Sequence, residues 1–110
     1  MTKALFFRNS EGCLCGFEIR GHSGLAPEGS DILCAAISAM SQLVINTLTE
    51  EFSVSMEIAV DPKLALLSAK LPKGATLTEA AKGILSGFHR EIETLQKAYP
   101  RNLSLREKQA

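Results

Sequence analysis

Apolar residues change their spacing three times along this chain, which confines it to a fold mixing strands and helices. Alternation with a period of two runs through residues 3–20, a helical period of three and four takes over at 31–51, alternation returns at 54–71, and the helical period closes the pattern at 77–99. In the first block Leu5 and Phe7 alternate with Ala4 and Phe6. The run Asn9-Ser10-Glu11-Gly12 then has the backbone freedom of a hairpin turn. The return strand, residues 13–20, puts Cys13, Cys15, Phe17 and Ile19 on the face expected to meet the core.

Residues 21–30 follow neither period and carry three glycines and a proline, so they are expected to form an exposed loop, with Pro27 stiffening its middle. From Asp31 the stripe Ala36, Met40, Leu43, Val44, Thr47, Leu48 and Glu51 predicts a helix over 31–51, capped by Asp31 or Ser30. Val54, Met56, Ile58 and Val60 alternate with polar or small residues, Asp61-Pro62-Lys63 makes a turn, and 64–71 completes a second hairpin. Thr76 or Thr78 caps a last helix with the stripe Leu77, Ala80, Ala81, Ile84, Leu85, Phe88, Ile92, Leu95 and Tyr99, which Pro100 stops. The tail from about residue 101 is expected to fray. The resulting expectation is an α+β two-layer sandwich of one domain, residues 1–110, in the order ββαββα, with a four-stranded, mostly antiparallel sheet and two amphipathic helices.

Composition narrows function. With 12 Lys+Arg against 12 Asp+Glu in 110 residues, the chain lacks the excess positive charge that binding to phosphate backbones or anionic membranes draws on. Direct nucleic-acid binding is therefore not expected. The apolar stretches are broken by Ser, Gln, Thr or Lys before reaching the ~20 residues that span a bilayer, so neither a membrane span nor a secretory leader is expected. Three cysteines cannot close into pairs, which suits a reducing cytoplasm.

Among the cysteines Cys34 stands apart, because it falls in the first turn of the first predicted helix. There a thiolate meets unpaired backbone N–H groups and the positive end of the helix dipole. His22, across the glycine-rich loop, could fold back over this helix end as base or imidazolium partner. Backbone N–H groups of the helix start, together with a loop freed by Gly21, Gly24 and Gly29, could receive the oxyanion of an acyl intermediate. The plainer reading of Cys34, followed by Ala35 and Ala36, is a small buried hydrophobe. Asp31 reads as the helix cap or as the orienter of the His22 imidazole. Ser38, one turn beyond Cys34, is a weaker candidate that could bond its own backbone instead.

Other residues read as structural. Cys13 and Cys15 lack the further paired ligands a metal site needs, so no metal or cofactor is expected. His89 reads as a solvated helix residue, as do the charges Lys82, Arg90, Glu91, Glu93 and Lys97, and Gly83 and Gly87 as packing positions within the chain. Gly-His-Ser-Gly is one residue short of a serine-hydrolase elbow and is rejected as one.

The pair Gly21-His22 followed by Gly29-Ser30-Asp31-Ile32-Leu33-Cys34-Ala35-Ala36-Ile37-Ser38 resembles the signature of the bacterial ribosomal-processing cysteine proteases, the Prp family, and the element order is similar from end to end. This resemblance implies a cysteine endopeptidase with Cys34 as nucleophile and His22 as general base. It implies a peptide substrate, the N-terminal extension of large-subunit ribosomal protein number 27, cut beside paired phenylalanines. It also implies a homodimer. Ile32, Leu33 and Met40 are the nearby apolar residues for an aromatic-binding pocket. Two other classes stand beside this reading: a non-catalytic ribosome-assembly or interaction module, and a thiol redox protein, disfavoured because no Cys-x-x-Cys pair exists.

Overall fold

The computed structural model describes residues 1–27 and 31–110. Strands β1 (Thr2–Arg8) and β2 (Leu14–Arg20) form the expected hairpin. Asn9 makes its turn: the side-chain Oδ1 accepts from the N–H groups of Glu11 at 2.9 Å and Cys13 at 3.0 Å. Helix α1 (Ile32–Asn46) runs on into a π-helical turn, Thr47–Glu51, so the helical path ends where the spacing places it. Strands β3 (Glu57–Asp61) and β4 (Leu66–Lys70) flank a short 3₁₀ turn that Asp61 caps. Helix α2 (Glu79–Ala98) begins at Thr78, whose hydroxyl accepts from the Ala81 N–H at 3.2 Å.

The tail corrects the expectation. Leu103–Gln109 is a fifth strand, β5, pairing in parallel with β1 along its whole length, and the sheet order is β3-β4-β2-β1-β5. The sheet is thus five-stranded and mixed rather than four-stranded and mostly antiparallel. Leu103 is fully buried, and Leu105 packs against the core beside it. Two leucines spaced by one residue suffice for a strand here because β1 offers an unpaired edge. Ion pairing seals the far end: Arg8 grips Glu107 with two hydrogen bonds, of 2.9 and 3.2 Å, which hold the Glu107 carboxyl below its ordinary range.

Both helices cover one face of the sheet. Phe6 of β1, Phe17 of β2 and Phe88 of α2 meet at ring-centroid distances of 4.9 to 6.1 Å, and Leu33, Ile37, Leu48, Leu85 and Ile92 close around them. The buried stripe of α1 is Leu33, Ile37, Ser41, Val44 and Ile45, rotated from the expected one: Val44 and Leu48 are buried as expected, whereas Ala36 and Leu43 face outward. By length and composition alone, the helical run Ile32–Glu51 would suffice to cross a membrane. Its inner side chains are instead core residues of this domain.

Three further readings change. A register shift opposite Phe7 and Arg8 inserts Cys15 as an extra residue in β2, so Leu14 packs against the core in place of Cys13. Burial pushes the Cys15 thiol up, as befits an inert packing residue. His89 is not solvated: its ring stands edge-on to Phe6 at 4.7 Å, with Nδ1 3.0 Å from a Glu93 oxygen. Its Nε2 lies 2.9 Å from Glu107 Oε1 but without the alignment of a hydrogen bond. Gly83 and Gly87 are exposed, with open space where a Cβ would stand, so they mediate no close packing within the chain.

Because β5 is a core element, Leu103→Ala should lower unfolding stability by about 2–5 kcal/mol, read as a fall in the urea midpoint; a frayed tail would leave the midpoint unmoved.

Candidate active site

Cys34 is the third residue of α1, and the residue before that helix organises everything around it. Asp31 is the N-cap: its Oδ1 accepts from the Cys34 N–H at 3.0 Å, while Oδ2 accepts from the Ser23 hydroxyl and from the Leu25 N–H at 3.3 Å. The Ser23 hydroxyl first, and then the Cys34 N–H, hold the Asp31 carboxyl at about 2, well below the usual carboxylate range. Both oxygens of Asp31 are thereby occupied by the loop and the helix start.

Ser23, which the sequence reading passed over, is buried and uses every polar group it has. Its N–H donates to Cys34 Sγ at 3.1 Å, a contact a thiolate accepts better than a thiol. Its hydroxyl donates to Asp31, and its carbonyl accepts from Asn102 Nδ2 at 2.9 Å. Gly21, two residues earlier, holds a φ of +86°, and a Cβ there would come within 2.7 Å of the Met1 carbonyl oxygen. Its N–H points at the Leu64 and Ala65 carbonyls, at 3.3 and 3.2 Å, which ties the loop entrance to the β3–β4 turn.

A cleft of about 550 Å³ opens over Cys34. His22, Gly21, Gly24 and Asp31 line its loop side, Ser38 and Ile37 its α1 side, and Ile19, Val60 and Leu67 its sheet side. His22 is exposed on this cleft, and among the described residues no hydrogen bond joins it to Cys34 or Asp31. Ser38 faces the cleft one turn beyond Cys34. Gly29 lies outside the described residues. The N–H groups of Ser23, Leu25 and Cys34 are already engaged by Sγ and Asp31, so in this conformation an oxyanion would need other donors or a rearranged loop.

The expected apolar lining is corrected. Ile32 is 70% exposed, Leu33 is in the core, Met40 packs beside it, and none of the three borders the cleft. The wall comes from β2, β3 and β4, which neighbour the helix start only once the sheet is assembled.

Arrangement and sequence agree on a class of protein. The profile of the family described as cysteine protease Prp matches residues 1–104, and the chain belongs to that family. Among solved structures it is similar to the essential ribosomal processing protease Prp from S. aureus in complex with a covalently linked product peptide, at 24% identity and a TM-score of 0.88, over 98% of this chain and 100% of the other. The S. aureus protease with a substrate peptide gives 23% identity and a TM-score of 0.83 over the same shares. SMU.848 from Streptococcus mutans is 24% identical with a TM-score of 0.86, over 100% of this chain and 96% of the other. No match was found among curated proteins.

The Asp31 contacts set an acid limit on the site. A carboxyl held at about 2 when folded and near ~4 when unfolded contributes stability that is complete above ~4 and lost as the pH falls toward ~2. Urea unfolding across that window should show a steeper loss for the wild-type protein than for Asp31→Asn, which caps without titrating; parallel curves would contradict the assignment.

Proposed function

We propose that this chain is a cysteine endopeptidase in which Cys34 is the nucleophile and His22 the general base. The observation that carries the reading is the Cys34 sulfur at the first turn of α1, held by the buried Ser23 N–H in a cleft that His22 also borders. In the reaction His22 takes the thiol proton and Sγ attacks the scissile carbonyl carbon. The tetrahedral oxyanion collapses to a thioester as the imidazolium returns that proton to the leaving amine. Water, deprotonated by His22, then attacks the thioester, releasing the acyl fragment and restoring the thiol. His22 is exposed on the cleft that Cys34 borders, so rotation of its side chain is the movement by which a bound peptide brings the imidazole onto the sulfur.

The complexes of the S. aureus protease with a substrate peptide and with a covalently linked product peptide support a peptide as the ligand of this cleft. For this chain the substrate is read as the N-terminal extension of large-subunit ribosomal protein number 27, cut beside paired phenylalanines, with Ile19, Ile37, Val60 and Leu67 as the apolar surface for the aromatic rings. The setting is read as cytoplasmic, where the free thiols Cys13, Cys15 and Cys34 stay reduced. A homodimer belongs to the same reading, and the outward apolar side chains of α1, Ile32 at 70% and Leu43 at 65% exposure, are the surface that supports it.

Mass spectrometry of a precursor peptide bearing the Phe-Phe sequence should show cleavage by the wild-type protein and none by Cys34→Ala, with His22→Ala reducing kcat by about a hundredfold or more. An intact peptide in every sample would favour the non-catalytic assembly module. In sedimentation velocity the protein should run as a dimer and Leu43→Lys as a monomer; a monomeric wild type would end the dimer reading.

A further inference from the structure

The loop that presents His22 and touches Cys34 is fastened from an unexpected place, the junction between α2 and β5. Asn102 sits there with its own backbone fixed: its N–H donates to the Tyr99 carbonyl at 3.0 Å, and its carbonyl accepts from the Thr2 N–H at 2.9 Å. From this anchored position the side-chain Nδ2 donates to the Ser23 carbonyl oxygen at 2.9 Å, across 79 residues of sequence. Ser23 is 1% exposed, and the other end of the same residue donates its N–H to Cys34 Sγ. Gly24 follows with a φ of +72°, so the peptide unit between Ser23 and Gly24 is flanked by the residue type that resists rotation least. The carboxamide of Asn102 is the side-chain group that holds the carbonyl of that unit in place.

We propose that Asn102 is a positioning residue for the Cys34 thiol, acting through Ser23. It rests on the reading of Cys34 as nucleophile. With the Asn102 donor removed, the Ser23 carbonyl is left buried without that partner, and the Ser23 backbone shifts as a whole to relieve it. That shift carries the Ser23 N–H away from the sulfur and moves the adjoining His22 with it. Asn102 does not line the cleft and makes no hydrogen bond to the sulfur, so substrate affinity is set elsewhere. The strand that follows Asn102 is consequently part of the site's scaffold, since Leu103 holds the junction in the core.

Two variants test this. Asn102→Asp preserves the shape of the side chain and replaces the donor by an acceptor, and Asn102→Ala removes the donor without adding charge. Each is measured three ways: kcat and KM for the precursor peptide, the rate of Cys34 alkylation by iodoacetamide near neutral pH followed by peptide mapping, and the urea midpoint. Both variants should lose roughly tenfold or more in kcat with KM within about threefold, and alkylate Cys34 more slowly by a similar factor, because a displaced donor affects the sulfur and not peptide binding. A purely structural role would lower the midpoint while leaving the alkylation rate of the folded protein intact, and that result overturns the proposal, as does a kcat loss that merely follows the unfolded fraction. Cleavage that survives Cys34→Ala is a different failure, since it removes the nucleophile reading itself, whereas untouched kcat and alkylation in both Asn102 variants remove only the role of Asn102.

Discussion

One buried carboxylate fastens the loop of this protein to its first helix. Asp31 takes the Cys34 N–H on one oxygen and the Ser23 hydroxyl and Leu25 N–H on the other. An N-cap ordinarily satisfies a helix end and nothing more. Here the same group gathers a loop that has no periodicity to fold it and brings a backbone N–H against the sulfur of Cys34. Without that charge the helix would still have a core face, but nothing local would tell residues 21–27 where to lie.

That junction rests on a closely packed sheet. Phe6, Phe17 and Phe88 join β1, β2 and α2 into one packed unit, and β5 closes the edge of β1. The loop is pinned to this unit at two points, by Gly21 on the β3–β4 turn and by Ser23 on Asn102. The role proposed for Cys34 needs such a support, since a displacement of about 1 Å in a reacting group can cost two orders of magnitude in rate.

Much of the fold was legible because burial imposes periods on sequence. The β1–β2 hairpin, both helices and the caps at Asp31 and Thr78 lie where alternation, helical spacing and turn chemistry put them, while the β3–β4 hairpin starts later than its alternation suggests, at Glu57 with Val54 and Met56 outside the strand. Where one face was not buried as expected, the reading slipped. The α1 stripe was misplaced because that helix is apolar nearly all round, so its periodicity does not say which side meets the core. Cys13 was assigned to the core face because a bulge, which shifts the register by one residue, has no signature in a hydrophobic pattern. The tail from residue 101 looked polar because a strand at a sheet edge buries only its first residues, Leu103 and Leu105.

The sequence by itself determined what depends on neighbours along the chain: the order of elements as far as α2, the position of Cys34 in the first turn of a helix, the acidic cap before it, and the match to its family. Only the tertiary structure decided what depends on distant segments meeting. It put Asn102 on Ser23, built the cleft wall from Ile19, Val60 and Leu67 instead of the helix's own Ile32 and Leu33, and enclosed His89 between Glu93 and Glu107 against Phe6. The reason is physical. Hydrogen bonds and burial between residues far apart in the chain are made when the sheet closes, and no local spacing records which partners that closure will bring together.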